Sequence, residues 1–198
     1  MYYYHLTHQK NVDSIMKKGI YSRHDVDSNN NISAIDLSYN SVQERRNYNI
    51  HDPRTNRKHS LKDFVPFFYR IETPMAYIYF KKQTPICFIR INSIQLDNYL
   101  QNKITPFVIY SDGNAASRET EFYTSHQEAM QSIDIDFINF RLDSWIEHED
   151  GKRKFSAEIL VYPYVPQELI DKILCTDLKT FEALEKSYGN KVEMTSIF

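Results

Sequence analysis

The sequence predicts an α+β fold with a mostly antiparallel or mixed sheet. Strands and helices intermix without the regular strand–helix alternation of a parallel sheet. The strand candidates are short apolar runs rich in aromatic and β-branched residues, bounded by turn residues. At 198 residues the chain suits a single domain, 1–198, long enough to bury a core.

In chain order, residues 1–6 (MYYYHL) form a short aromatic strand. A helix follows, because Val12, Ile15 and Met16 recur at i, i+3 and i+4. Gly19 supplies its left-handed C-terminal position. Residues 21–35 turn to Asp, Asn and Ser and read as a long polar loop. Ser38 then caps a helix carrying Tyr39, Val42 and Arg46.

Residues 64–69 form a strand, and Thr73 caps a short helix with Pro74 at its first position. Residues 86–91 are a strand, 93–100 a helix and 107–110 a strand running into the Asp112-Gly113-Asn114 turn. Residues 125–133 look helical, and 134–151 is an irregular acidic and aromatic stretch with the only tryptophan, Trp145. Residues 152–166 open with three bases and become a strand through Tyr162, closed by Pro163 and Pro166. Helices over 167–174 and 178–188 with a short strand between, and a last strand over 192–198, complete the chain.

Composition excludes several classes. Charged residues are 25% and the net charge is −2, so no global basic field advertises a polyanion partner. Aromatics are abundant, with 15 Tyr and 12 Phe, while 4 Gly leave no glycine-rich phosphate loop. Cys87 and Cys175 lie far apart in sequence without CxxC or HExxH company, which predicts reduced thiols and no zinc or other metal site. With no signal peptide or membrane-length apolar run, the expected location is the cytoplasm.

Two local features stand out against that background. Between Arg45 and Lys62 lie Arg46, Arg54, Arg57 and Lys58 against Asp52 alone. Such a run is either a solvated, mobile loop or a local footprint for a polyanion. Glu158 sits just inside the start of an apolar strand, where a carboxylate is costly to bury unless paired or used. It is either an edge residue, solvated or bonded to Lys152, Arg153 or Lys154, or a functional group.

Separated pieces in one order now line up: Tyr4-His5-Leu6-Thr7-His8 with a helix and Gly19; Val42-Gln43-Glu44-Arg45-Arg46-Asn47; Asp63-Phe64-Val65-Pro66-Phe67-Phe68 with Pro74-Met75-Ala76-Tyr77; Asp112-Gly113-Asn114-Ala115-Ala116-Ser117; and Ala157-Glu158-Ile159-Leu160-Val161-Tyr162. Together they resemble the DarT toxins, DNA-modifying ADP-ribosyltransferases paired with a macrodomain antitoxin, DarG. The resemblance covers about residues 3–173. Phe68 stands where the family has tyrosine, and Ser156 where it often has glutamine.

The resemblance implies a split antiparallel sheet of the ADP-ribosyltransferase kind, holding NAD as substrate in a cleft. It implies that His5 and Thr7 meet the ribose on the nicotinamide side, that the Leu6 backbone holds the carboxamide and that Tyr77 stacks on the nicotinamide ring. Gly19 and Phe68 complete the NAD-binding set. Glu158 and Arg46 become the catalytic pair. A carboxylate near the 2′-OH stabilises the positive charge that develops as the nicotinamide–ribose bond breaks. Arginine is a poor base, so Arg46 is assigned to orientation and charge stabilisation and Glu158 to accepting the proton.

The implied acceptor is a base, thymine, in single-stranded DNA, whose reacting edge is hidden in a duplex. Arg45, Arg54, Arg57 and Lys58 would then track phosphates and Trp145 would stack on bases. The same fold acting on protein or RNA, and a silent NAD- or nucleic-acid-binding module, stay open as alternatives.

Overall fold

The computed structural model of the chain describes residues 1–29, 32, 34–37, 46, 49–52, 56–101, 103, 105–138 and 144–197. Strand β1 (Tyr2–His8) leads into helix α1 (Val12–Lys18), then β2 (Ile20–Tyr21) and α2 (Arg23–Ser28). A hairpin follows, β3 (Asn49–Asp52) with β4 (Arg57–Ser60), then β5 (Val65–Phe68), α3 (Pro74–Lys81), β6 (Ile86–Asn92) and α4 (Ser93–Leu100). β7 (Phe107–Ser111) and β8 (Phe122–Tyr123) precede four helices, α5 (His126–Ser132), α6 (Ile135–Ile138), α7 (Ser144–Glu147) and α8 (Gly151–Lys154). β9 (Glu158–Tyr162), β10 (Tyr164–Val165), β11 (Ile170–Cys175), α9 (Leu178–Tyr188) and β12 (Val192–Met194) end the chain.

Eight strands form one sheet in the order β12-β11-β6-β1-β5-β9-β7-β8. Every pairing in it is antiparallel except β11 with β12. This is the α+β architecture expected from pattern. Both faces are covered, because side chains alternate across each strand. Phe67, Ile89 and Ile159 pack on one face with α1 and α4, while Phe68, Phe88 and Leu6 pack on the other. Leu160, Ile109 and Phe64 build a third cluster beside Ala115. None of the helices among the described residues is long and apolar enough to cross a membrane.

Strand β1 explains the split. Its ladder with β6 runs from Tyr2↔Asn92 to His8↔Ile86, whereas with β5 it shares only Tyr4↔Phe68. The next positions along β5 include Pro66, which has no N–H to donate. The Pro66 carbonyl instead takes the His5 side chain at 2.9 Å. The sheet parts where that ladder stops.

Several expectations need correction. Residues 21–35 are not one loop: Ser22 caps α2 by accepting the Asp25 N–H, and Arg23 pairs with Asp27 one turn on. The helix has no buried residue, so it gives no apolar periodicity. Within 45–62 the described residues form the β3–β4 hairpin, with four paired positions from Asn49↔Ser60 to Asp52↔Arg57. Among the described residues of 134–151 lie two short helices, α6 and α7, and the first residue of α8. The bases at 152–154 belong to helical α8, and the strand begins only at Glu158.

Residues 167–174 are mostly strand β11 after a single 3-10 turn over Gln167–Leu169, and β12 stops at Met194. Pairing with β6 overrides the helical look of that segment. The helix expected after Ser38 lies outside the described residues. Cys87 and Cys175 are free and buried, and they face each other across β6 and β11.

Candidate active site

Where β1 and β5 part, a cleft of about 680 Å³ opens over the sheet. His5 and Leu6 come from β1, Phe68 from β5, Glu158 from β9, Asn114 from the turn after β7 and Trp145 from α7. The strand positions are fixed by register: Phe68 lies directly opposite Glu158, and Tyr4 opposite Phe68. The sheet therefore sets the spacing between the β1 wall and the β9 carboxylate.

Glu158 is 1% exposed, so its charge needs partners. Its Oε2 is ion-paired with the Arg46 guanidinium, and its Oε1 accepts the Ala115 N–H at 3.0 Å. Its own N–H donates to Ser111 Oγ at 2.9 Å, so the strand start is fixed as well as the side chain. The solvated-edge reading, and bonding to the neighbouring bases 152–154, are both excluded. The side chain of Arg46 is only 12% exposed and lines the same cleft. A carboxylate and a guanidinium thus meet at the cleft wall.

His5 offers the opposite wall. Its Nδ1 faces a carbonyl, an acceptor only, so Nδ1 carries the proton and Nε2 is left as an acceptor. Burial pushes its pKa below the usual histidine range, against the smaller effect of the Pro66 hydrogen bond, and holds the ring neutral. A second cavity of about 180 Å³ shares His5, Leu6, Pro66 and Met75 with the first. Thr7, Gly19 and Arg23 lie on it.

Residues 34–37 close over that second cavity. The Asn11 amide holds them, with Nδ2 donating to Ile35 O at 2.9 Å and Oδ1 accepting Ile35 N–H at 2.8 Å. Asn11 Nδ2 also donates to Thr7 Oγ1 at 3.2 Å, and Arg23 pairs with Asp36 at 2.7 Å. Gly19 adopts φ +87°, and a Cβ there would come within 2.4 Å of Val165 O. Both facts require glycine.

The sequence-predicted residues are thus distributed unevenly. His5, Leu6, Arg46, Phe68, Trp145 and Glu158 meet on the larger cleft, and Thr7 and Gly19 on the smaller. Tyr77 is not itself among the lining residues: Pro74, Met75 and Ile78 of α3 line the cleft, and the Tyr77 ring meets Trp145, which lines it, edge-on at 6.2 Å. Arg57 and Lys58 are exposed on β4. Arg45 and Arg54 lie outside the described residues.

Sequence reasoning missed the Ala115 N–H, Arg153 and Asn11. The DGNAAS string was visible as a turn, but nothing in it names the backbone amide that meets Glu158. Among the described residues no group of three or more His, Cys, Asp or Glu is placed to hold a metal.

A family model described as "ssDNA thymidine ADP-ribosyltransferase, DarT" matches residues 4–195. A "DNA ADP-ribosyl transferase-DNA ADP-ribosyl glycohydrolase fusion protein" of Thermosipho africanus is 27% identical over 194 residues, covering 95% of this chain and 46% of that protein. The chain thus spans about half the length of that relative. A "DNA ADP-ribosyl transferase" of Mycobacterium tuberculosis is 28% identical over 188 residues, covering 89% and 77%.

Among solved structures, Thermus sp. 2.9 DarT in complex with ADP-ribosylated ssDNA superposes with a TM-score of 0.78 at 20% identity, covering 99% and 92%. The same protein in complex with NAD+ gives 0.76 at 19% identity, covering 98% and 94%. At these identities the superpositions establish a common fold.

Proposed function

The chain belongs to the DarT family of ssDNA thymidine ADP-ribosyltransferases, and from that premise we propose that it transfers ADP-ribose from NAD to thymine in single-stranded DNA. The observation that carries this reading is the Arg46–Glu158 pair on the wall of the split-sheet cleft, opposite a neutral His5. Thermus sp. 2.9 DarT, solved in complex with NAD+ and with ADP-ribosylated ssDNA, has this fold. The family relationship supplies the acceptor.

In this reading NAD lies along the two joined cavities, its nicotinamide end at Leu6, its nicotinamide-side ribose at His5 and Thr7, and its adenosine end toward Gly19. Phe68 bounds the nicotinamide side. The C1′–nitrogen bond to nicotinamide breaks, nicotinamide leaves with the bond electrons, and a ring nitrogen of thymine bonds to C1′. Charge on the ribose rises in that transition state, and the fixed Glu158 carboxylate stabilises it. Arg46, already paired with Glu158, orients the base and cannot act as base while it holds that pair. The proton lost by the thymine nitrogen passes to Glu158.

Trp145 at the cleft mouth stacks on a neighbouring base, and exposed Arg57 and Lys58 with Arg45 and Arg54 follow phosphates. Base choice rests on residues 134–156, with Trp145 and Ser156 the first to test. We further propose that the whole chain is one catalytic domain acting in the cytoplasm as a toxin, opposed by a macrodomain antitoxin of the DarG kind. The Thermosipho relative, whose name joins a transferase to a glycohydrolase, supports that pairing. Labelled NAD incubated with matched single-stranded, duplex and RNA oligonucleotides tests the reaction. Label should enter the single strand; equal labelling of duplex, or labelling only of protein, refutes it.

A further inference from the structure

We propose that Arg153 is a positioning residue that holds the Ala115 N–H on the Glu158 carboxylate. Glu158 Oε1 receives that N–H from a turn, residues 112–117, that lies beyond the end of β7 and has no ladder of its own. Something else must fix it. Part of the answer is internal: Thr120 Oγ1 donates to Asn114 O at 2.7 Å, and Ala116 N–H to Asn114 Oδ1 at 2.8 Å. Ser111 Oγ donates to Gly113 O at 2.7 Å, and the turn's first residue is tied to Glu121 by the Asp112 N–H to Glu121 O at 3.2 Å and the Glu121 N–H to Asp112 Oδ1 at 2.9 Å. Arg153 adds the contacts that join the turn to the segment before β9.

Arg153 reaches the turn with its backbone and its side chain. Its carbonyl accepts the Asn114 N–H at 2.9 Å, one residue before the amide that meets Glu158. Its Nη1 donates to Asp112 Oδ1 at 2.8 Å and to Thr120 Oγ1 at 3.4 Å. Its Nε and Nη2 are held by the Asp150 carboxylate at 2.8–2.9 Å. The side chain is 12% exposed and lies flat against Gly113, where a Cβ would come within 2.5 Å of Nη1. A side chain at 113 would push the Arg153 guanidinium away from the turn.

The guanidinium is therefore a bracket between two turns. One offers the N–H to Glu158; the other, α8, leads directly into β9 and Glu158 itself. A planar fork with donors on several edges can hold two carboxylates at once, whereas a lysine ammonium is a single point. Fully engaged by Asp112 and Asp150, Arg153 acts on the reaction only through Glu158, although it lies on the cleft wall.

The turnover arm of the test rests on the proposed transfer reaction; a second arm does not. In Arg153→Lys the Ala115 amide, measured by hydrogen exchange in the free protein, should lose protection at least about tenfold while β6 amides keep theirs. The kcat for transfer should fall about ten- to a hundredfold with KM for NAD within about twofold, because an oxyanion-type donor is displaced and the binding wall is not. Asp112→Asn should act in the same direction. In a Glu158→Gln background Arg153→Lys should add no further loss, since groups acting as a unit are non-additive. Unchanged protection at Ala115, lost protection with wild-type kcat, or an undiminished loss in the Glu158→Gln background each overturn the proposal. A wild-type protein that labels no DNA refutes the transferase reading alone, and the exchange arm still decides whether Arg153 holds the amide.

Discussion

Replacing Arg46 by alanine tests whether the ion pair exists in the free protein. The change leaves Glu158 Oε2 without its cation in a side chain that is 1% exposed, while Oε1 keeps the Ala115 N–H. Removing one partner of a fully buried pair costs about 3–5 kcal/mol. Arg46 lies on the open cleft, so water enters the space it vacates and resolvates Oε2, which lowers the expected loss to about 1–3 kcal/mol. For a chain of this length that is a fall in Tm of about 2–12 °C. Glu158→Gln should also destabilise, because the amide NH2 then faces the guanidinium donors. Arg46→Ala combined with Glu158→Gln removes both charges together and should be more stable than the sum of the single losses by about 1–2 kcal/mol. Urea denaturation of the four proteins without NAD measures the cycle. Wild-type stability of Arg46→Ala, or strict additivity in the double variant, refutes the pairing.

Gly19→Ala forces a side chain into φ +87° and a Cβ into Val165 O, and should cost about 2 kcal/mol or more, read by thermal denaturation. His5 has a lowered pKa, so the unfolded chain binds more protons than the folded one. Its contribution is fully present above about pH 6.5 and is lost as pH falls through the folded value; His5→Gln should flatten the slope of stability against pH in that acid window. Exposed His24 has its pKa raised by Asp63 and contributes in the opposite sense, present below about pH 6.5 and lost as pH rises. Arg57→Ala with Lys58→Ala should weaken binding of single-stranded oligonucleotide and reduce the salt slope by about 1.4, leaving the modified base unchanged; an unaltered slope in a binding titration removes the hairpin from the DNA path.

Elements with strong local signals were legible in the sequence. Thr73 accepts the Ala76 N–H with Pro74 at the first helical position, and α4 runs over Ser93–Leu100 as its spacing predicts. What failed lacked a local signal or was overruled at distance. α2 buries nothing, and β11 is strand because β6 supplies the ladder. In the site, Glu158 was conspicuous as a carboxylate in an apolar run. The family resemblance, not spacing, named Arg46, and the Ala115 amide has no side-chain identity to read. For Tyr77, a motif gives residue types in order but not which of them line the cleft and which, like Tyr77, pack behind a lining residue such as Trp145.

The partners of Glu158 come from sequence separations of 112 and 43 residues. No local segment of the chain can assemble the site; the carboxylate has its cation and its amide only when β9 is paired on both sides and the turn after β7 is pinned. Stability does not account for such an arrangement, since apolar residues of similar volume often fill a buried ion-pair site at equal or lower free energy. The neighbours already present, Phe68 opposite and Leu160 two residues on, show that this part of the sheet accommodates apolar side chains. Under the proposed transfer, a charge held there by two distant donors acts on a ribose whose positive charge rises in the transition state. Fixed donors leave little to reorganise at that moment. The proposed role of Arg153 follows the same logic, because a carboxylate aimed by a loop amide is only as well placed as the loop.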